Sequence, residues 1–120
     1  MTVRLIRAFT FEAAHHLPRA PEGHKCRRMH GHSFRVEVAV AGEVDPDTGW
    51  FLDYGDIRDH VEPIRAQLDH YCLNDVPGLE NPTSEHLARW IWERLRPALP
   101  SLARVSVAET CESRCEYEGR

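Results

Sequence analysis

The chain reads as an α+β domain, an antiparallel sheet carrying two helices on one face. Three observations predict it. Two strand-like segments open the chain, two helix-like segments fill its middle, and a strand with a short extended tail closes it, giving the order ββααββ. Helices grouped between pairs of strands, rather than alternating with them, pack on one face of an antiparallel sheet. The length of 120 residues suits a single domain over 1–120 with a modest core. The second sheet face then needs a cover. In so short a chain the expected cover is another copy of itself, and hence an oligomer.

The first strand is predicted over residues 3–13, ending near Ala14. It is rich in β-branched and aromatic residues, and Leu5, Arg7, Phe9, Phe11, Ala13 and His15 share one parity. Pro18, Pro21 and Gly23 mark a loop from His16 to Met29. A second strand runs from about Gly31 to Val44. Asp45-Pro46-Asp47-Thr48-Gly49 has the chemistry of a turn, and Trp50-Phe51-Leu52 reads as a short strand pairing back as a hairpin.

Asp56 to Leu68 has helical spacing, with Ile57, Val61, Ile64 and Leu68 on one face. Pro63 lies inside it. Proline costs about 3 kcal/mol in a helix interior, so a kink or two short helices are expected. Asp69 to Asp75 reads as a loop. The second helix starts near Thr83, capped by Asn81 or Thr83, and reaches about Leu99 with a stripe of Leu87, Trp90, Ile91 and Leu95. Residues 103–110 alternate as a strand, 111–114 turn, and Cys115-Glu116-Tyr117 forms a last short strand.

Composition narrows the function. The formal net charge of −4 argues against a nucleic-acid binder driven by bulk charge. No apolar run approaches the length of about 20 residues that crosses a bilayer. The N-terminal residues do not resemble a signal peptide. Cysteines at 26, 72, 111 and 115 are too few and too irregularly spaced for a disulfide framework, so reduced thiols in a cytoplasm are expected.

The chemistry centres on His30-Gly31-His32. On a strand, residues i and i+2 share a face, so both imidazoles can reach one point. His15 or His16 can supply a third nitrogen, and parity allows only one of them to face that side. Three nitrogens with one open position form a catalytic zinc arrangement rather than a structural one. Imidazoles also suit copper, iron and nickel. Zinc is favoured because no carboxylate stands beside the pair to make an iron-type triad.

Cys26 lies four residues before His30, among Lys25, Arg27 and Arg28. It reads either as a fourth ligand that closes the site or as a thiolate favoured by its cationic neighbours, able to act as nucleophile or base. Asp69 and His70 read either as a helix C-terminus with a dipole-compensating His, or as an Asp orienting a proton-relaying His. Glu109 shares parity with Val105 and Val107. An acid on an apolar face must find donors, such as the edge of an amino-pyrimidine, unless the parity breaks and it is solvated.

These residues together resemble one family. Phe11-Glu12-Ala13-Ala14-His15, Gly23 to Phe34 with its Cys26 and His30-Gly31-His32, Leu68-Asp69-His70, Leu73-Asn74-Asp75, Glu80-Asn81-Pro82-Thr83-Ser84-Glu85 and Glu109-Thr110 occur in order and at the spacing of the 6-pyruvoyltetrahydropterin synthase family. The Cys26-x-x-x-His30 step fits its bacterial carboxy branch, which serves queuosine biosynthesis.

The resemblance implies a tunnelling fold, in which ββααββ subunits assemble into a barrel with helices outside, as a homo-oligomer built on trimers (a hexamer). It implies zinc on His15, His30 and His32, and Cys26 as general base with Asp69 and His70 as relay, the pair acting on a neighbour's zinc. It implies Glu109 as anchor of the pterin ring, with Thr83 and Ser84 in the same pocket. Lys25, Arg27 and Arg28 are candidates for the triphosphate. The implied enzyme is a carbon–carbon lyase. It converts 7,8-dihydroneopterin triphosphate to 6-carboxytetrahydropterin, releasing acetaldehyde and triphosphate. The alternatives are pyruvoyl-type elimination of triphosphate and a non-catalytic, zinc-stabilised oligomeric module.

Overall fold

The computed structural model describes residues 1–120. Strands β1 (Thr2–His15) and β2 (His30–Glu43) form a long antiparallel ribbon, in register from Thr2 opposite Glu43 to His15 opposite His30. Helix α1 (Tyr54–Leu68) is followed by a two-residue strand β3 (Tyr71–Cys72), then helix α2 (Ser84–Leu95), strand β4 (Leu102–Ala108) and strand β5 (Cys115–Tyr117). The sheet order is β3-β1-β2-β4-β5. The ribbon gives the molecule its length, 58 × 24 × 22 Å.

One sheet face is the core. Phe9, Phe11, Phe34, Val36, Val38, Val105 and Val107 lie buried there under Ile57, Val61, Ile64 and Leu68 of α1 and Leu87, Trp90, Ile91 and Leu95 of α2. Burying a side chain of this size is worth roughly 1.5–3 kcal/mol, so the two apolar stripes hold the helices to one face. The other face carries a charged network. Arg104 bonds Glu37 and Glu116 across it, and Arg35 and Arg114 join the same network. This face also carries the exposed Ile6, opposite Ala39, an apolar patch that nothing in the chain itself covers.

Several expectations change. Trp50-Phe51-Leu52 is not a strand. Trp50 is exposed, and the Phe51 ring instead lies across Gly42, where a Cβ would overlap it. Pro63 does not split α1, which runs as one helix over Tyr54–Leu68. Pro63 and Asp59, four residues earlier, are both exposed, so water can satisfy the carbonyl that loses its donor. The loop after α1 contains β3, which pairs parallel with β1 and makes the sheet mixed at that edge. Helix α2 ends at Leu95, and its cap is Thr83, whose hydroxyl accepts from the His86 amide.

Candidate active site

The sheet register builds the site. His15 ends β1 directly opposite His30, which starts β2, and His32 stands two residues along on the same face. Their rings form a compact, nearly perpendicular set, with centroids 4.6 Å apart for His15–His30, 5.2 Å for His15–His32 and 4.9 Å for His30–His32. Phe34 packs edge-on beneath His15 and His32. One nitrogen from each ring lies within 4.8 Å of the others, so the group could hold a metal ion.

Backbone carbonyls aim two of the rings. His15 Nδ1 donates to Pro82 O at 2.9 Å and His30 Nδ1 to Arg28 O at 2.7 Å, leaving each Nε2 lone pair free. This is the outer-shell arrangement that orients ligating histidines. Nε2 of His15 and of His32 are buried with no hydrogen-bond partner. Such orphaned buried nitrogens are costly unless something occupies them, and a metal would. Burial pushes the His15 pKa below its usual value, keeping the imidazole in its neutral, ligating form.

Glu109 follows β4 and reaches the same group. Its Oε2 lies 3.5 Å from His32 Nε2 and its Oε1 3.9 Å from His15 Nε2. Ser84, in the first turn of α2, donates its hydroxyl to Oε1 at 3.0 Å. The parity of Val105, Val107 and Glu109 thus continues past the strand end. A carboxylate therefore does stand beside the histidines, delivered by the topology from a distant segment. A cleft of about 450 Å³ opens beside Glu109, lined among others by Leu17, Thr83, Ser84, Val107 and Arg114.

Cys26 sits half-buried in a 3-10 turn, Lys25–Arg27, and its carbonyl accepts from the Leu17 amide at 2.8 Å. It is not part of the three-histidine group. Lys25, Arg27 and Arg28 are exposed beside it, though the Arg27 guanidinium is engaged by Ala20 O.

Asp69 and His70 form a contact pair, with His70 Nδ1 3.0 Å from Asp69 Oδ2. Three features brace it. The Glu12 amide donates to Asp69 Oδ1, His70 N donates to Glu12 O, and Arg65 stands 3.6 Å from Asp69 Oδ2. His70 is left-handed, with φ 64°. The Glu12 amide, then His70, hold the Asp69 pKa below its usual value. The pair lies at the outer edge of β1, and the His70 side chain is 78% exposed. No hydrogen bond or ion pair joins it to the three histidines of its own chain.

Sequence reasoning missed the carbonyls of Pro82 and Arg28, since every residue carries one and no side chain announces it. It also gave Asn74 no role, although Leu73-Asn74-Asp75 was among the matching motifs.

Comparison with known proteins follows the same lines. The family model "6-pyruvoyl tetrahydropterin synthase" matches residues 4–120. A 6-carboxy-5,6,7,8-tetrahydropterin synthase from Synechocystis is 47% identical, over 94% of this chain and 91% of its own. A dihydroneopterin monophosphate aldolase from Pyrococcus furiosus is 36% identical over 98% and 99%. The solved structure of Caenorhabditis elegans 6-pyruvoyl tetrahydropterin synthase superimposes with a TM-score of 0.91 at 27% identity, covering 100% of this chain and 97% of that one.

Proposed function

The chain belongs to the 6-pyruvoyl tetrahydropterin synthase family, and from that premise we propose that it is a zinc-dependent 6-carboxy-5,6,7,8-tetrahydropterin synthase of queuosine biosynthesis. It would take 7,8-dihydroneopterin triphosphate and one water, which supplies an oxygen of the new carboxylate, to 6-carboxytetrahydropterin, acetaldehyde and triphosphate. The observation that carries the reading is the trio of converging imidazoles with two orphaned Nε2 atoms beside Glu109, in a chain so similar to a carrier of that activity.

His15, His30 and His32 hold the metal. Bound there, zinc would supply Lewis-acid stabilisation for the substrate's side-chain hydroxyls. Glu109, steadied by Ser84, accepts from the amino and ring N–H groups of the pterin, and Thr83 lines the same cleft. Cys26 acts as the base, taking a proton from the substrate side chain; its absence from the ligand group leaves the thiol free for that work. The Asp69–His70 pair serves as the relay. Its exposure at the edge of β1 suits delivery to a neighbouring subunit's site, in a homo-oligomer built on trimers. The exposed Lys25, Arg27 and Arg28 meet the triphosphate. Four unpaired cysteines suit a reducing cytoplasm.

Cys26→Ala tests the assignment. The variant is expected to retain one zinc per chain and to lose turnover. Loss of zinc from the variant would instead make Cys26 a ligand and favour a structural zinc module.

A further inference from the structure

We propose that Asn74 is a positioning residue of the metal centre, its side-chain amide fixing the stretch of backbone that joins His15 to the Cys26 loop. The inference rests on the metal reading above. Asn74 lies in the 3-10 turn Leu73–Asp75, directly after β3. Its Oδ1 accepts from His16 N at 3.0 Å, and its Nδ2 donates to His16 O at 2.9 Å. Past His15 the β1–β2 ladder ends, and this amide takes over as the partner of the next residue. The side chain reads the backbone as a neighbouring strand would.

The neighbours of His16 give the clamp its importance. On one side is His15, whose ring is held by Pro82 O. On the other is Leu17, whose amide donates to the Cys26 carbonyl. Nδ2 also faces Glu80 O at 3.5 Å, two residues before Pro82. One amide therefore ties together the end of β1, the Cys26 turn and the segment that aims the His15 ring.

The chemistry required is specific to asparagine. The site needs one acceptor and a donor in a single planar group on a short stem. Aspartate offers no donor and would set an anion against the carbonyls of His16 and Glu80. Leucine has the shape and neither polar group. Loss of a partner bonded directly to a metal ligand typically weakens metal affinity about 10–100-fold. Asn74 acts one residue removed, through the His16 backbone, so a weakening of at most about 10-fold, the low end of that range, is expected for Asn74→Asp and Asn74→Leu.

The full-length chain is compared with Asn74→Asp, Asn74→Leu and a control, Leu95→Ala, which opens a buried position in α2. Zn2+ affinity is read by competition with a chromogenic chelator, site geometry by the visible absorption of the Co2+-substituted protein, and fold by thermal unfolding of the metal-free forms. The two Asn74 variants are expected to bind Zn2+ more weakly and to show an altered Co2+ spectrum. Leu95→Ala is expected to lower the unfolding temperature without changing either. In the unsubstituted protein, hydrogen exchange of the His16 amide is expected to be slow, which tests the clamp even if a variant fails to fold. Unchanged Zn2+ affinity in the folded Asn74 variants, or a freely exchanging His16 amide, would overturn the proposal while leaving the metal reading standing. Failure of the unsubstituted chain to take up Zn2+ would overturn both.

Discussion

Replacing Ser84 by alanine removes a single contact, its hydroxyl bond to Glu109 Oε1 at 3.0 Å. The hydroxyl serves a charged acceptor, and such bonds are worth roughly 1.5–3 kcal/mol. Glu109 is 28% exposed, so water can replace part of the interaction. The expected net loss is about 1.4 kcal/mol, close to a tenfold factor in rate or binding. If Glu109 holds the pterin equally in ground and transition states, the factor falls on KM and leaves kcat nearly untouched. The assay is steady-state kinetics on 7,8-dihydroneopterin triphosphate, with zinc content measured in parallel. Ser84→Thr, which keeps the hydroxyl, is expected to restore most of the affinity. An unchanged KM in Ser84→Ala would refute the role of this bond in substrate binding. A fall in zinc content instead would mean that Glu109 serves the metal.

Three further outcomes are expected. His32→Ala removes a nitrogen with no other partner and is expected to weaken Zn2+ binding beyond the roughly 100-fold upper range for outer-shell losses; chelator competition measures it, and unchanged affinity would remove His32 from the ligand set. Phe34→Ala empties a fully buried position that stacks on Phe11 at 5.0 Å and supports two of the histidines, and is expected to cost about 3–5 kcal/mol in urea unfolding. Asp69 has a folded pKa below its ordinary 3.8, so its stabilising contribution is present above that pH and is lost as pH falls through the lower folded value. Asp69→Asn is therefore expected to be less stable at neutral pH, with a shallower loss of stability below pH 3.8; equally steep acid limbs in both proteins would remove Asp69 as the source.

The sequence makes much of this site readable because strand parity is a strict rule. His30 and His32 share a face by spacing alone, and the apolar run Val105, Val107 carries Glu109 onto the same side. Parity could not choose between His15 and His16. The structure does so through tertiary contacts: His15 points into the site against Pro82, while Asn74 clamps the His16 backbone. The hairpin expected at Trp50-Phe51-Leu52 does not form; the Phe51 ring lies across Gly42 instead. The split expected at Pro63 does not occur: α1 continues through it, with Pro63 and Asp59 both on the exposed side. The carboxylate beside the histidines was invisible as a neighbour because Glu109 is 77 positions from His32 and arrives only through the β2–β4 pairing.

The most direct test is product analysis of the zinc-loaded protein supplied with 7,8-dihydroneopterin triphosphate. Acetaldehyde and triphosphate are expected in equal amounts with 6-carboxytetrahydropterin, and all three are expected to vanish after chelation and return with added zinc. Triphosphate without acetaldehyde would contradict the carboxy reading and favour the pyruvoyl reaction. Cleavage that leaves the phosphates in place on the released fragment would point to an aldolase. No turnover with zinc bound would contradict the enzymatic account itself.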